Sequence, residues 1–461
     1  MPEERFGDWE YLAEGSAHVL FRRLACKESC VLRIPKRVRL LPEPTTDFLL
    51  NVAVPLLGRQ YLFFPSFVEL SEQFVASLRR EVGSGGHPGR RSWDPSSISF
   101  PWTAELLPNC FSPFIKATAP DVLSVELKVK GGLRSSSPFL LGPARAKLHL
   151  SRFQLVHAYK HFLSNGSFEG YRSPGYRPID LCSGDRDRVL EALRSLVDRP
   201  GNNLSVRING RLVFGEFVGT IDELAQSWSS LLGDAASEDA MGSFLESVSH
   251  ILVTESALPR LMRMQSLDTI DCEGCAVIFE RLAFLCGSEV AALDMLRSSL
   301  GDPFPYDFSG LFDKLSISTL SLSEQTTDVS ELVAKLMCTR VSASTSQEDL
   351  DNSYATAMGL VAELGVSECI LFLRLWLVSL TAKDASVILS LMKEPTENGS
   401  SQQVHAMNGD GIGRHSAHRY RIAYSLKFID INCKPVEKCI SKIESEISMI
   451  HSLAPIFRSH N

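Results

Sequence analysis

The pattern of apolar residues changes along this chain of 461 residues, and that change limits the possible folds more than any other feature. Short stretches typical of strands occupy the first hundred-odd residues, whereas helical patterns run from about residue 240 to 300 and again from 355 to 380. Residues 108–120, which hold three prolines, indicate a boundary. We therefore expect an α+β fold with two lobes, residues 1–112 and 113–461, because one core rarely serves so long a chain.

Composition and charge exclude several classes of protein. Hydrophobic residues make up 44% of the chain and charged residues 22%, values typical of a folded globular protein rather than a disordered or fibrous one. The formal net charge of −7 indicates no surface that coats nucleic acid, although a local anion pocket is compatible with it. Residues 369–380, the most apolar run, are about half as long as a membrane span, and residues 1–10 are too polar for a signal peptide. The eleven scattered cysteines are expected to be free thiols.

Two aspartates near the end of the chain form the most informative pair. Asp384 lies in a predicted loop before a strand at residues 385–391, and Asp430 lies near the end of a second strand at residues 420–431. If these strands pair antiparallel, both carboxylates project from the same edge of the sheet. One carboxylate that accepts a proton and one that holds magnesium suit phosphoryl transfer from a nucleotide. The alternative is that both are ordinary turn and strand-end aspartates.

Two groups of basic side chains have a spacing that suits an anionic ligand. The first belongs to an alternating strand, which places Glu126, Lys128 and Lys130 on one face. The second begins four residues after Asp430 and repeats every fourth residue along one face of a predicted helix. Its members are Lys434, Lys438 and Lys442. The alternative for both groups is a solvated surface, because lysine is common on edge strands and on exposed helix faces.

The remaining segments carry local signals. Asn209–Gly210 between two strand-like runs predicts a β-hairpin. Asn202 and Asn203, just before it, either bind a ligand or serve the turn. Residues 316–351 and 393–418 are polar and weakly patterned, so we expect them to be mobile.

Taken together, these stretches resemble the inositol-pentakisphosphate 2-kinase family. The matching pieces, in family order, are residues 9–17 (WEYLAEGSA), 55–58 (PLLG), 124–130 (SVELKVK), 151–160 (SRFQLVHAYK), 178–184 (PIDLCSG), 202–203 (NN), 267–274 (LDTIDCEG), 381–384 (TAKD) and 428–435 (FIDINCKP). Each piece is a weak motif, but the ordered set is specific. The resemblance implies a two-lobed fold distantly similar to protein kinases, with ATP between the lobes and an enlarged C-terminal lobe. The implied reaction is ATP-dependent phosphorylation of the 2-hydroxyl of inositol 1,3,4,5,6-pentakisphosphate to inositol hexakisphosphate (phytate).

The resemblance also implies roles for individual residues. Asp384 matches the catalytic aspartate that takes up the hydroxyl proton, Lys128 the lysine that holds the transferring phosphoryl group, and Asp430 the magnesium-binding aspartate. The positions that match nucleotide contacts are Glu14, Gly15, Ser16, Ala17, His18, Arg33, Glu126 and Asn203, and Arg207 is a further candidate nucleotide contact that matches no family position. The positions that match contacts to inositol phosphates are Lys130, Lys160, Asn202, Lys434, Lys438 and Lys442, with Arg90 or Arg91 supplying an arginine from the N-terminal lobe.

Several positions depart from the family pattern. Ser205 stands where the family often has an arginine near the ATP phosphates, and Arg207, on the same strand face, is the candidate substitute. His18 stands where an asparagine is usual. Cys272 and Cys275 lie too early in their motif for the zinc site of the plant enzymes, so we expect ATP and Mg²⁺ but no structural zinc.

These departures leave alternatives to the 2-kinase reaction. One is a catalytically inactive relative that binds inositol phosphates in a structural or regulatory role. Another is an inositol-phosphate kinase of different positional specificity, whereas a protein kinase is disfavoured because the HRD, DFG and GxGxxG motifs are missing. We expect a monomer that acts on small molecules in the cytoplasm, the nucleus or both, without nucleic acid or a membrane.

Overall fold

A computed structural model describes residues 9–14, 18–23, 30–36, 45–84, 102–111, 121–167, 169–233, 239–304, 331–394, 413–417, 420–432 and 434–454. The described strands form two antiparallel sheets, one of five strands in the order β1-β2-β3-β5-β4 and one of six in the order β10-β11-β9-β6-β7-β8. The first sheet comprises β1 Trp9–Glu14, β2 His18–Arg23, β3 Cys30–Pro35, β4 Ser66–Leu70 and β5 Trp102–Pro108. The second comprises β6 Leu123–Lys128, β7 Leu204–Ile208, β8 Arg211–Phe214, β9 Ser386–Lys393, β10 Gly413–Ala417 and β11 Tyr420–Ile429.

The first three helices lie between β3 and β5 in the chain, and many of the later ones pack against one face of the second sheet. The first three are α1 Thr45–Phe48, α2 Val54–Leu57 and α3 Glu72–Ser84, with a π-helical turn at Leu49–Ala53 between the first two. The next eight are α4 Arg152–Asn165, α5 Pro178–Leu181, α6 Arg186–Asp198, α7 Ile221–Leu232, α8 Ala240–Thr254, α9 Ala257–Gln265, α10 Asp271–Cys286 and α11 Glu289–Ser299. The last five are α12 Glu331–Cys338, α13 Gln347–Glu363, α14 Val366–Asp384, α15 Val436–Ile440 and α16 Ile443–Ser452. This content of helix and sheet confirms the α+β class.

The predicted hairpin is present. Asn209 and Gly210 connect β7 to β8 with φ angles of 49° and 82°, which are left-handed conformations that asparagine and glycine tolerate. The Asn209 side chain also accepts a hydrogen bond from the Val122 amide at 3.0 Å. The turn thereby fixes the register of β7, the strand that carries Ser205 and Arg207, against β6.

Each sheet has its own apolar core among the described residues. In the first, alternate residues of β2 and β3, such as Phe21 and Ile34, pack against Phe74 and Leu78 of α3. In the second, one face is apolar and packs against helices α6 to α10 and α14. Residues 48–62 pack into this larger core, although the sequence placed them within residues 1–112. Asn51 and Tyr61 hold them there through hydrogen bonds of 2.8 Å to the Gly301 carbonyl and 2.6 Å to the Glu255 carboxylate.

The two segments predicted to be mobile lie partly outside the described residues. Residues 316–330 are outside, whereas 331–351 include α12 and the first residues of α13. Residues 395–412 and 418 are outside, whereas 413–417 form β10, which pairs with β11. No helix within the described ranges is long and apolar enough to cross a bilayer.

Gly274 allows a close approach between α10 and the chain after β6. A Cβ atom there would lie 2.4 Å from Cδ2 of the buried Phe139 and 2.9 Å from Cβ of Ile270. We predict that Gly274→Ala lowers the free energy of unfolding by about 1–3 kcal/mol, because overpacking outweighs the better helix propensity of alanine. Gly359→Ala on α13 is the control: its Cβ meets nothing within 4 Å, so stability should rise by about 0.5–1 kcal/mol. Urea denaturation measures the free energy of unfolding of both variants. Equal changes in Gly274→Ala and Gly359→Ala would contradict the prediction.

Candidate active site

The two aspartates lie at the same end of a pair of adjacent strands. β9 and β11 are antiparallel, with Ser386 opposite Ile429. Asp384 precedes the first of these residues by two positions, and Asp430 follows the second directly, so the pairing predicted from sequence is confirmed. The predicted loop at Asp384 is wrong, because Asp384 is the last residue of α14, a helix of 19 residues. Asp430 adopts a φ of 62°, a left-handed conformation that is uncommon outside glycine and tends to cluster at functional sites.

One face of the second sheet is polar, which is unusual for a surface enclosed within a protein. It extends across β6, β7, β9 and β11, where most of the side chains lie in directly paired positions, and the buried Ile388 lies between Glu126 and Lys427. We call this set the polar face: Ser124, Glu126, Lys128, Ser205, Arg207, Ser386, Ser390, Ser425 and Lys427. The opposite face is apolar, and residues such as Val125, Leu389 and Leu426 are at most 4% exposed.

The end of the first sheet lies on the polar face. The Ser390 hydroxyl donates to the Cys110 carbonyl at 2.9 Å, and the Ser124 hydroxyl donates to the Phe111 carbonyl at 3.0 Å. The Arg207 guanidinium stacks over the Phe111 ring at 4.7 Å. Residues 110–111, which follow β5, therefore join the two sheets at this surface.

Several polar atoms of this region are enclosed without a partner among the described residues. They are the hydroxyls of Ser386 and Ser425, Nε of Arg207 and Oδ1 of Asn203. The Asn203 carbonyl accepts from the Lys128 amide at 2.9 Å, which places this residue beside the end of β6. Enclosed polar groups are normally hydrogen-bonded, so such a concentration indicates a ligand surface.

Ser205, which stands where the family often has an arginine, has a different role here. The Ser205 hydroxyl donates to Glu126 at 3.1 Å, which occupies the carboxylate expected to contact the nucleotide. Arg207 lies on the same face, as predicted, since Ser205 pairs with Glu126 and Arg207 with Ser124. Burial, helped by the carboxylates of Glu126 and Asp430, raises the pKa of the nearby Cys110 thiol to about 12.

Arg33 connects the first sheet to the segment after Asp430. Its guanidinium forms a salt bridge of 3.0 Å with Glu105 and lies 3.3 Å from Nδ1 of His18. With the Asn432 amide oriented so that both of its polar atoms have partners, its oxygen accepts from Arg33 Nη2 at 3.1 Å. The other expected N-terminal contacts, Gly15, Ser16, Ala17, Arg90 and Arg91, lie outside the described residues, as does the side chain of Glu14.

A cavity of about 520 Å³ opens beside Asp384. Its basic lining residues are Arg134, Lys147, Arg152, Arg340, Lys383, Lys434, Lys438 and Lys442. Its acidic lining residues are Asp268, Asp271, Asp384 and Glu446. Eight basic against four acidic side chains leave an excess of four positive charges, so the cavity suits a polyanion.

Each of the four carboxylates has a basic partner in the cavity. The pairs and their N···O distances are Lys434–Asp384 at 3.2 Å, Lys383–Asp268 at 2.7 Å, Lys147–Asp271 at 3.0 Å and Arg152–Glu446 at 3.0 Å. Within the described ranges, no carboxylate pairs with the other four: Arg134, Arg340, Lys438 and Lys442. These four cations supply the excess charge.

The structure brings only some of the predicted substrate contacts to this cavity. Lys434, Lys438 and Lys442 line it, but not from one helix, since α15 ends at Ile440 and a turn precedes α16. Lys160 is exposed on α4 and Asn202 is exposed before β7, and neither lines the cavity.

Lys130 lies beyond the end of β6. Its φ of 64° breaks the strand alternation, so the prediction that it shares a face with Lys128 is wrong. Burial lowers the pKa of its ammonium, and the positive charges of Lys128, Lys160 and Arg152 lower it further, while Asp384 opposes them. Lys130 therefore lies among more positive than negative side chains.

A known protein family matches most of the chain. The family model described as inositol-pentakisphosphate 2-kinase matches residues 11–445.

The chain belongs to the inositol-pentakisphosphate 2-kinase family.

Similar proteins carry the same name in plants and animals. The inositol-pentakisphosphate 2-kinase of Arabidopsis thaliana is 31% identical over 235 residues, which are 49% of this chain and 50% of that protein. The one of Oryza sativa subsp. indica is 24% identical over 321 residues, or 69% of this chain and 57% of the relative. The one of Danio rerio is 28% identical over 222 residues, or 45% of this chain and 44% of the relative. The chain thus spans about half the length of the curated relatives it matches.

The site also contains residues that the sequence patterns did not predict. Arg340 comes from the segment predicted to be mobile, and Arg134 lies in an irregular loop after β6, so neither belonged to a pattern. Arg340 is half-buried, its Nε has no partner among the described atoms, and its Nη2 lies 3.5 Å from the Ser266 carbonyl. Such a desolvated guanidinium is ready to bind an anion.

The Cys272-x-x-Cys275 region holds a buried lysine rather than a pair of exposed thiols. Lys147 is 5% exposed and donates to Asp271 at 3.0 Å, Glu273 at 2.8 Å and the Cys272 sulfur at 3.1 Å. Ligand-type atoms of Asp271, Cys272 and Glu446 lie within 4.8 Å of one another, and the Lys147 ammonium contacts two of them. Burial raises the pKa of both thiols, which disfavours the thiolates that zinc requires. The absence of zinc stays a prediction.

Proposed function

We propose that this chain transfers the γ-phosphoryl group of ATP to the 2-hydroxyl of inositol 1,3,4,5,6-pentakisphosphate. The observation that carries the proposal is the cavity beside Asp384, whose lining has four more positive than negative side chains. A substrate with five phosphates needs many fixed donors, and charge-assisted hydrogen bonds from arginine and lysine are the strongest that proteins offer. The relatives are named inositol-pentakisphosphate 2-kinases, which supports this substrate and the 2-hydroxyl as the acceptor.

The nucleotide is proposed to lie between the two sheets, on the polar face, in a two-lobed arrangement like that of protein kinases. The enclosed atoms without partners, Ser386 Oγ, Ser425 Oγ and Arg207 Nε, support this because a polar ligand would satisfy them. Glu126, Asn203 and Arg207 would contact the nucleotide, and Asp430 would hold Mg²⁺. When bound, Mg²⁺ neutralises charge on the phosphates.

Asp384 is proposed as the general base. Its carboxylate is 56% exposed, so a substrate hydroxyl has access to it. Lys434, 3.2 Å away, forms an ion pair with this carboxylate. Lys128, at the end of β6, would stabilise charge on the phosphoryl group during transfer.

The partners proposed for this chain are the two small-molecule substrates alone. The net charge of −7 supports the expectation of no nucleic acid. The monomeric state and the cytoplasmic or nuclear location stay predictions.

A product assay tests the proposed reaction. Purified protein is incubated with ATP, Mg²⁺ and inositol 1,3,4,5,6-pentakisphosphate, and the products are resolved by anion-exchange chromatography. We expect inositol hexakisphosphate, and no product when Mg²⁺ is chelated. Tight pentakisphosphate binding by calorimetry without any product would contradict the proposal and point to an inactive binding protein.

Arg340 is expected to bind substrate phosphate. Arg340→Met should raise KM for inositol pentakisphosphate by about 10- to 150-fold and change kcat little, because one charge-assisted contact made in both ground and transition states is worth about 1.5–3 kcal/mol. Steady-state kinetics measure the effect. Arg211→Met is the control, since Arg211 is exposed on β8 and does not line the cavity. An unchanged KM for Arg340→Met would show that Arg340 does not bind substrate phosphate.

A further inference from the structure

Gln265 makes an unusual set of hydrogen bonds. It is the last residue of α9 and is 1% exposed. Its Nε2 donates to the Lys130 carbonyl at 2.9 Å and to the Ala382 carbonyl at 3.2 Å, while its Oε1 accepts from the Gly132 amide at 3.3 Å. Its own carbonyl accepts from the Ser379 hydroxyl at 2.6 Å. One buried amide therefore joins three separate segments of the chain.

Two of these segments carry groups of the proposed reaction. Residues 130–132 follow β6 directly, and Lys128 is the last residue of that strand. Ala382 precedes Asp384 by two positions in the last turn of α14. Gln265 thus connects the backbone next to the proposed phosphoryl-binding lysine with the backbone next to the proposed base.

The contact to Lys130 has a further effect. A lysine with a φ of 64° is in a conformation that costs about 1–2 kcal/mol and persists only when its surroundings enforce it. Gln265 holds the carbonyl of Lys130 and the amide two residues later, so it clamps both sides of this strained turn.

We propose that Gln265 is a positioning residue, which fixes the segment of Lys128 and Lys130 relative to Asp384. The inference rests on the reaction proposed above. It concerns a residue at the cavity wall whose side-chain polar atoms bond to the backbone. In-line transfer requires the hydroxyl, its base and the phosphoryl group to be aligned within about 1 Å, and a misplacement of that size costs about 10²-fold in rate.

Only an amide matches this environment. Two carbonyl oxygens require two donors, and one backbone amide requires an acceptor, which is the inventory of a glutamine side chain. An ionised glutamate at position 265 has no hydrogen to donate, so its oxygens would face the carbonyl oxygens of Lys130 and Ala382 without a hydrogen bond. A protonated glutamate has one O–H group and can donate to one of the two carbonyls. Leucine leaves all three backbone groups without a partner. Charged side chains lie on every segment around Gln265. They include Lys128, Lys130, Arg134, Arg263, Asp268, Arg340, Lys383 and Asp384.

The test compares Gln265→Glu and Gln265→Leu with the wild-type chain. kcat and KM are measured in the product assay from about pH 5.5 to about pH 8.5, and calorimetry gives pentakisphosphate affinity. At the upper pH, both variants should lose about 10- to 100-fold in kcat with affinity reduced less than about threefold. For Gln265→Glu, the loss relative to wild type at the same pH should shrink as the pH falls, because burial beside two carbonyls raises the pKa of the introduced carboxyl. For Gln265→Leu, it should not change with pH.

Other results decide against the inference. A kcat ratio near one for Gln265→Glu, or a loss that stays constant with pH, would overturn the positioning role while the proposed function stands. Absence of wild-type turnover overturns the proposed function itself, and the positioning role with it. If Gln265→Leu does not fold, the pH dependence of the kcat loss in Gln265→Glu still tests the positioning role. Gln347→Glu, exposed at the start of α13, controls for the added negative charge.

Discussion

Asp384→Asn is expected to lower kcat for phosphoryl transfer to inositol pentakisphosphate by about 10²–10⁴-fold, the usual contribution of a general base. The substitution keeps the size of the side chain but removes its ability to accept a proton. It also removes a negative charge 3.2 Å from the Lys434 ammonium, so repulsion of substrate phosphate at this point of the cavity falls. Pentakisphosphate affinity should therefore stay equal or become tighter. Single-turnover kinetics and calorimetry measure the two effects separately.

A matched control separates the role of Asp384 from the loss of a surface charge. Glu444→Gln removes a carboxylate from α16 that is exposed and does not line the cavity, so it should leave kcat unchanged. If Asp384→Asn retained more than about a tenth of the wild-type kcat, its role as base would be wrong.

Lys147→Met is expected to reduce the free energy of unfolding by about 3–5 kcal/mol. The ammonium is 5% exposed and bonds to Asp271, Glu273 and Cys272. Although burial alone would lower its pKa, these neighbours hold the pKa of Lys147 above its ordinary value, so it is charged at neutral pH. Removing it leaves two carboxylates in a poorly solvated site without their counterion. Denaturant unfolding monitored by circular dichroism measures the loss.

Arg145→Met provides the matched control for this substitution. Arg145 lies in the same 3₁₀ segment, Gly142–Leu148, and its ion pair with Asp351 is solvent-exposed, so its loss should cost at most about 1 kcal/mol. A similar cost for both variants would contradict the assignment of Lys147 as a buried counterion.

The pH dependence of the Lys147→Met effect has a defined sign. In the wild type, Lys147 holds the pKa of Asp271 below its ordinary value, so the stability from this pair is present above about pH 4 and is lost as the pH falls through the folded-state pKa. In the variant, burial without a counterion raises the folded-state pKa of the carboxylates, so their destabilising effect is present at neutral pH and is relieved as they protonate. The difference in stability between wild type and variant should therefore shrink as the pH falls from neutral to about 4.

Local patterns were sufficient to predict part of this molecule. The Asn209–Gly210 hairpin depends on the conformational preference of two adjacent residues, and it is present with the expected strands. The antiparallel pairing near Asp384 and Asp430 was predicted from two long apolar strands in the last part of the chain, and it is present. In both cases the signal lies in the local sequence of the elements themselves.

Contacts between distant segments could not be predicted in this way. Gln265 joins α9, α14 and the turn after β6, and nothing in its sequence neighbours distinguishes it from an ordinary helix end. Arg340 enters the cavity from a segment without hydrophobic periodicity. Lys130 left the expected strand face because its backbone turns at a positive φ, a conformation that lysine rarely adopts and that no pattern signals.

The link between Arg33 and Asn432 has a thermodynamic consequence. Five consecutive positions, 430 to 434, include the proposed metal ligand Asp430, the Arg33 partner Asn432 and the cavity cation Lys434. A substrate that moves Asp430 or Lys434 would move backbone at most four positions from the other residue, and would thereby change the binding surface of the other substrate. The two affinities are then coupled, and because coupling free energies are reciprocal, the factor by which the nucleotide changes pentakisphosphate affinity equals the factor by which pentakisphosphate changes nucleotide affinity.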